Sequence, residues 1–548
     1  MTRYTAITFA PVQGFIEKSR KLRDLYGSSF ILSFLAKSLC NYITLHGGTV
    51  IVPALTNVTR GVPNNIYLTG IVDEAGIRAA FDRAWRTLVD TCRHYLDREY
   101  QIYAKLPLDR PLPWKREWNL WANYTWELFI VCGKEDESFD DVRERMNDRK
   151  QARDWAGVNW CGESSTLSGS DAIAYPEMTN YHPVRTPNPD AEIRDFYQFL
   201  SKIERIEDAI EPTERLSIPE LIKRLITYQV VREKVDQCRN LGADEYLASI
   251  EHLPPFSDIN RKDKNIWTGW FQGDGDQVGK YVDTLVDGNK DDLLNLFSQR
   301  MLAWGEALQG ETNDILGDRI SGRIVYAGGD DFLGVLYPKA KNGKELTPQE
   351  CMKEWWYGFN KLWNKCEQPI SVSTGFVWAA PNVPQRDLLQ HLRDTEKTAK
   401  KDGRDRLAIR ILFNSGNHLD WSCPWRWLEP ILTGYRDREG QNNWTHIYND
   451  IAILEARNAF SSDIATLEAR NTFSDDDTSI AQGIFDIYFP NIILKSDDQW
   501  WNPTDKNPSY QRLSGGLLGT KPDREKDQIK RRNQWIIALA KVGFHLFR

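Results

Sequence analysis

Residue types that could do chemistry gather at two short acidic turns. The first closes Trp267-Thr268-Gly269-Trp270-Phe271-Gln272-Gly273-Asp274-Gly275-Asp276, an aromatic run ending in Gly-Asp-Gly-Asp. The second lies in Ile324-Val325-Tyr326-Ala327-Gly328-Gly329-Asp330-Asp331-Phe332-Leu333-Gly334-Val335-Leu336, where runs of β-formers flank Gly-Gly-Asp-Asp. Such runs around a tight turn read as a β-hairpin with a carboxylate pair at its tip. The glycines permit positive φ and close approach of backbone to a ligand. The aspartates suit a hard cation and the phosphates it carries. Between the turns, Leu293, Leu294, Leu296, Phe297, Met301 and Leu302 recur at helical spacing within Asp291 to Gln309. The order is strand, acidic turn, helix, strand, acidic hairpin, strand. That order can bring Asp274 near Asp330 and Asp331, a set suited to two Mg²⁺ or Mn²⁺ ions about 3.5–4 Å apart, as in phosphoryl transfer. Asp276 taken alone reads as an Asp-Gly turn capping a helix.

Composition bounds the setting. The chain has 548 residues, and single cores stop growing near about 250–300 residues, so several domains are expected. With 41% hydrophobic and 27% charged residues it reads as globular and soluble. No apolar run reaches the 18 or more residues of a membrane span, so no membrane contact is expected. Met1-Thr2-Arg3-Tyr4 leads straight into the first expected strand, which predicts no signal peptide. Eight scattered cysteines then read as reduced thiols in the cytoplasm. The net charge of −7 leaves nucleic-acid contact to local basic patches, with Ser19 to Arg23, Arg393 to Arg410 and Lys526 to Arg532 as candidates.

A strand with Gly-Asp-Gly-Asp followed by a Gly-Gly-Asp-Asp hairpin resembles the palm of diguanylate-cyclase-like enzymes and of the large subunit of type III CRISPR effector complexes. Pro369-Ile370-Ser371-Val372-Ser373-Thr374-Gly375-Phe376-Val377 resembles the strand after that hairpin. Thr395 to Arg406 resembles the palm helix, in which Ala399-Lys400 followed by Gly403-Arg404 implies a phosphate-contacting Lys400. Read without the resemblance, Lys400 belongs to a charged helix face running into a turn. The opening decides between the relatives. Thr5-Ala6-Ile7-Thr8-Phe9-Ala10-Pro11-Val12-Gln13-Gly14-Phe15-Ile16, then a basic-to-apolar helix from Ser19 to Leu35, resembles the first, degenerate palm of the CRISPR large subunit. Gly61 to Leu68 would be its hairpin, without an acid pair.

The resemblance implies an α+β protein with two ferredoxin-like palm domains, a helical insert and a helical C-terminal domain. The expected segments are a degenerate palm at 1–150, a helical domain at 151–258, the armed palm at 259–416 and a helical domain at 417–548. Relatives carry zinc in the second segment, held by two cysteine pairs. Here Cys161 stands without a partner and no Cys-x-x-Cys occurs, so zinc is not expected. None of the eight histidines precedes an aspartate, so the His-Asp nuclease site of many relatives is not expected either. Asp450 to Ser462 is nearly repeated from Asp463 to Asp475, a period too short for a solenoid.

The implied activity is conversion of ATP to cyclic oligoadenylates, switched on when target RNA pairs with the crRNA held among other effector subunits. Asp274, Asp330 and Asp331 would be catalytic and metal-binding. Gly328, Gly329, Gly275, Asp276 and Lys400 would contact nucleotide, and Ser28 and Ser29 of the first palm would face the acceptor nucleotide. A stand-alone diguanylate-type cyclase, a non-catalytic crRNA scaffold and a templated polymerase are the other readings.

Overall fold

The computed structural model describes residues 3–54, 61–70, 72–135, 137–153, 157–182, 184, 188–206, 210–239, 245–248, 266–285, 290–309, 320–338, 348–367, 369–460, 479–494, 497–501 and 516–547. The second copy of the tandem repeat, Asp463 to Asp475, lies outside these residues. The chain divides into two compact units, Met1–Asp258 with Leu285–Gly305, and Ile259–Thr284 with Glu306–Arg548.

In the first unit, β1 (Tyr4–Ala10), β2 (Thr49–Val52), β3 (Ile66–Thr69) and β4 (Glu127–Cys132) form an antiparallel sheet of order β2-β3-β1-β4. The helix Leu22–Leu45 follows β1 and the helix Glu74–Tyr103 follows β3, which completes a ferredoxin-like βαββαβ plan. The expected amphipathic stretch from Asp82 to Arg98 is the middle of that second helix. Asp73 starts it, its carboxylate accepting from the Ala75 and Gly76 amides. One continuous core joins Ile7, Phe34 and Leu88 of the palm to Tyr197, Leu221, Ile222 and Val231 of the helical segment.

Charged groups are buried where these two parts meet. The Arg224 guanidinium donates to both oxygens of Asp24, at 2.6 and 2.8 Å, and to Glu214 at 3.0 Å. Arg224 and Asp24 are essentially inaccessible, so this pair exists only because the fork geometry satisfies both partners. Beside it, the Lys223 ammonium donates to the Phe15 carbonyl at 2.5 Å and lies over the Phe15 ring. Glu220 caps its own helix at Ser217 and accepts from Ser165 Oγ at 3.1 Å. The described part of this segment is thus held to the opening helix by buried charges with close partners.

The second unit repeats the plan with different furnishing. β5 (Thr268–Gly275), β6 (Ile320–Gly328), β7 (Asp331–Pro338), β8 (Val372–Ala379), β9 (Arg406–Leu412) and β10 (His418–Pro424) form a six-stranded sheet of order β10-β9-β8-β5-β7-β6. Its strands β8-β5-β7-β6 have the same ferredoxin-like order, and β9 adds in parallel through the helix Gln385–Lys401. The sheet continues past Gly416 into β10, a stretch that the sequence pattern assigned in part to helices. β8 is buried at every position, as expected of a strand covered on both faces.

Alternation sorts that sheet into two chemistries. Phe271, Phe332 and Phe376 share one face and pack against Trp355 and Phe359 of the helix Pro348–Lys365. Gly334 and Gly273 leave room on that face, because a Cβ at either would collide with the Phe271 or Phe332 ring. The other face presents Gln272, Asp274, Tyr326 and Asp331 to the helix Gln385–Lys401.

Arg224→Ala strands the buried Asp24 without its guanidinium, while Glu214 keeps Lys21, and should cost about 3–5 kcal/mol in chemical denaturation. Lys223 gives a pH signature. Burial pushes its pKa from 10.5 down to about 8, so between those values the unfolded chain binds more protons than the folded one. Stability should therefore rise with pH across that window in wild type relative to Lys223→Met, measured by urea denaturation at its two ends.

Candidate active site

The two acidic turns meet because glycine stands between them. The hairpin joins β6 to β7 with Gly328 paired to Asp331, leaving Gly329 and Asp330 as the loop. Gly329 has φ +65° and Asp330 does not share the left-handed region, which is the type II′ pattern. At the end of β5, the Gly275 amide donates to the Asp330 carbonyl at 3.0 Å. A Cβ on Gly275 would lie 2.8 Å from Asp330 Cβ, so any side chain there would push the turns apart. Gly275, which the resemblance assigned to nucleotide contact, thus seats Asp330.

Asp274, Asp330 and Asp331 are brought together. The Asp330 carboxyl is within hydrogen-bond reach of Asp274, and burial plus the Asp274 charge push its pKa up to about 7. Asp331 is driven well above the carboxylate range by burial and then by Asp274, Asp330 and Glu396. The Tyr326 hydroxyl donates to Asp331 Oδ1 at 3.2 Å. A bulge at Val325 shifts the β6 register just before Tyr326 and so aims its ring at the acids.

The palm helix supplies the balancing charge. Lys400 donates to Asp274 Oδ2 at 2.6 Å and pairs with Glu396 Oε1 at 2.7 Å. Burial opposes the Lys400 charge, but these two carboxylates outweigh it and hold the ammonium above the usual lysine range. Glu396 is braced by Gln272 Nε2 at 3.0 Å. The helix can lie this close because β8 has Gly375 below it, where a Cβ would strike the Glu396 backbone.

Asp276 does different work. It neither joins the acid cluster nor caps the next helix, whose first flanking residue Gln277 offers no side-chain cap. Its carboxylate accepts from Ser371 Oγ at 2.8 Å, Ser373 Oγ at 2.7 Å and the Asp405 amide at 3.0 Å. Gly403, Arg404 and Asp405 all have positive φ, and this bond secures that strained run between the helix and β9. Asp276, expected to contact nucleotide, is buried with both oxygens occupied by protein donors.

Ser28 and Ser29, expected to face the acceptor nucleotide, lie in the first unit. Both are buried in the helix Leu22–Leu45. Ser28 donates to the Asp24 carbonyl at 2.8 Å and shares a 2.7 Å bond with Ser19. The candidate basic patches are largely spoken for as well. Lys21 pairs with Glu211, Arg410 with Asp420, and Arg532 lies over the Trp500 and Trp501 rings.

Glu396, Tyr326 and Gln272 were missed in the sequence. Glu396 had a usable signal, since it lies four residues before Lys400 and must share its helix face. Gln272 lies two residues before Asp274 and so shares its strand face.

These carboxylate oxygens are of the kind that Mg²⁺ and Mn²⁺ take. Among the described residues, no group of three or more His, Cys, Asp or Glu stands arranged around a metal position. The acids converge, but the Lys400 ammonium occupies Asp274.

Residues 268–408 match the family model described as Cas10/Cmr2, second palm domain, and residues 4–88 match that of the N-terminal region of CRISPR-associated protein Cmr2. Over these two segments the chain is similar to the Cas10/Cmr2 family. The matched palm spans β5 into β9, and so contains both acidic turns, Glu396 and Lys400. A chain of the type III-B Cmr-beta cryo-EM structure in its apo state has the same fold, with a TM-score of 0.56 over 99% of this chain and 82% of that one at 11% identity. Chains of Csm1–Csm4 cassette crystal structures, in complex with cA3 and with one ATP, align over 100% of this chain and 70% of theirs at 13% identity, with TM-scores of 0.44 and 0.41. No curated protein sequence matches this chain. No described helix is long and apolar enough to cross a membrane.

Asp331→Asn relieves like-charge crowding while keeping an oxygen for Tyr326. It should raise the thermal stability of the chain, by about 1 kcal/mol or more in the absence of divalent cations. A loss of stability would mean that the carboxylate charge itself holds the hairpin.

Proposed function

We propose that this chain is the large subunit of a type III CRISPR effector complex and converts ATP to cyclic oligoadenylates at its second palm. The observation that carries the proposal is the convergence of Asp274, Asp330 and Asp331 at one end of the second sheet, with Lys400 against them. A purely structural hairpin gains nothing from crowding acids whose ionisation each disfavours in the other.

In this reading Asp274, Asp330 and Asp331 would hold Mg²⁺ or Mn²⁺, whose charge would favour ionisation of a ribose 3′-hydroxyl and offset that of the triphosphate. Gly328 and Gly329 keep the turn free of side chains, so the backbone can approach phosphate oxygens. Lys400 presents its ammonium to the same oxygens. Asp276 holds the end of β5 to β8 and β9, keeping Asp274 in place. Partner effector subunits, crRNA and complementary target RNA would surround this chain and switch synthesis on. The choice of adenine rests on the family.

A non-catalytic scaffold is the second reading, favoured by one observation: the acids are already neutralised in part by Lys400. The two readings part on product. The assembled complex, incubated with labelled ATP, Mn²⁺ and target RNA, should release cyclic oligoadenylate. The double substitution Asp330→Ala with Asp331→Ala should abolish it, to below about 1% of wild type, with assembly intact by size-exclusion chromatography. Collapse of assembly would show that the acids are structural, and an unchanged yield would place the chemistry elsewhere.

A further inference from the structure

Lys400 is placed where a cation ligand of the acid cluster would be. Its ammonium lies 2.6 Å from Asp274 Oδ2 and 2.7 Å from Glu396 Oε1, so an Asp274 oxygen needed for a divalent ion is already taken by a monovalent one. Consistent with this, the described carboxylates converge without forming a metal cage. The two anchors of Lys400 differ in where they stand relative to its helix. Asp274 is on a strand tip, whereas Glu396 is on the same helix as Lys400, one turn away, and is braced by Gln272. The lysine can therefore leave Asp274 while keeping Glu396, by rotation of its flexible stem alone.

We infer that Lys400 is the resident counter-ion of the cluster and excludes a divalent cation from Asp274 until an anionic phosphate draws it away. The inference rests on the cyclase reading and adds an order of events to it. Glu396 is then a positioning residue: it keeps Lys400 at the cluster in both states. Because ammonium and metal compete for one oxygen, phosphate at Lys400 and metal at Asp274 favour each other. Metal binding without nucleotide is correspondingly weak.

The test is binding of Mn²⁺ alone to the full chain without nucleotide, read from the electron paramagnetic resonance signal of free Mn²⁺. Lys400→Met and Lys400→Gln should each bind Mn²⁺ about fivefold or more tighter than wild type, since a positive charge is removed beside the ligand. Adding Asp274→Asn to either should erase the gain. Circular dichroism identifies which variants are folded, and one folded Lys400 variant decides the matter. Equal or weaker Mn²⁺ binding in that variant overturns the inference. Asp330→Asn separates this outcome from failure of the cyclase reading. If it loses Mn²⁺ while the Lys400 variants gain nothing, only the role of Lys400 falls. If it binds Mn²⁺ as wild type does, the acids are not metal ligands and both ideas fall.

Discussion

Like charges held close in a poorly hydrated place repel, and the second unit is organised around that cost. Asp274, Asp330, Asp331 and Glu396 each raise the proton affinity of a neighbour, and Lys400 is set among them. The surrounding fold supplies the rigidity such crowding requires. On the far face of the sheet, the Phe271, Phe332, Phe376, Trp355 and Phe359 rings lock together. That aromatic layer gives the strands a stiff back against which the acidic tips cannot easily splay.

Small residues decide where the acids stand. Gly275 allows the first acidic turn to touch the second, and Gly375 lets the palm helix lie on β8 so that Glu396 and Lys400 reach the tips. Asp276 then ties the end of β5 to Ser371, Ser373 and the left-handed run ahead of β9. Its neighbour Asp274 is held by Lys400. Two aspartates two residues apart thus serve opposite ends, one consumed in bracing and one kept at the cluster.

The first unit solves a different problem with related means. Its palm has the same strand order but its hairpin strands, β2 and β3, bring no acid pair. Its buried charges are matched and inward: Arg224 with Asp24 and Glu214, Lys223 with the Phe15 carbonyl and ring. Paired in this way, buried charges fix one arrangement of helices. Unmatched, as in the second unit, they keep a demand for a cation.

Local pattern was enough for the elements and for part of the site. Alternation and turn chemistry around Gly328-Gly329-Asp330-Asp331 specify a hairpin from a few adjacent residues, and the helical spacing from Leu293 to Leu302 needs no distant partner. The repeated βαββαβ order follows from that same local reading together with the family resemblance. What a side chain does with its charge was decided elsewhere. Asp274 and Asp276 look alike in sequence, and only the pairing of β8 with β5 and the placement of the turn before β9 separate an acid of the cluster from a brace. Ser28 reads in sequence as a small polar residue, and the fold buries it with its hydroxyl on the Asp24 carbonyl. Glu396 gained meaning only when Gly375 brought its helix down onto the acids. Elements form from neighbours along the chain, whereas burial, pairing and charge balance depend on groups far apart in it, brought together only by the tertiary fold.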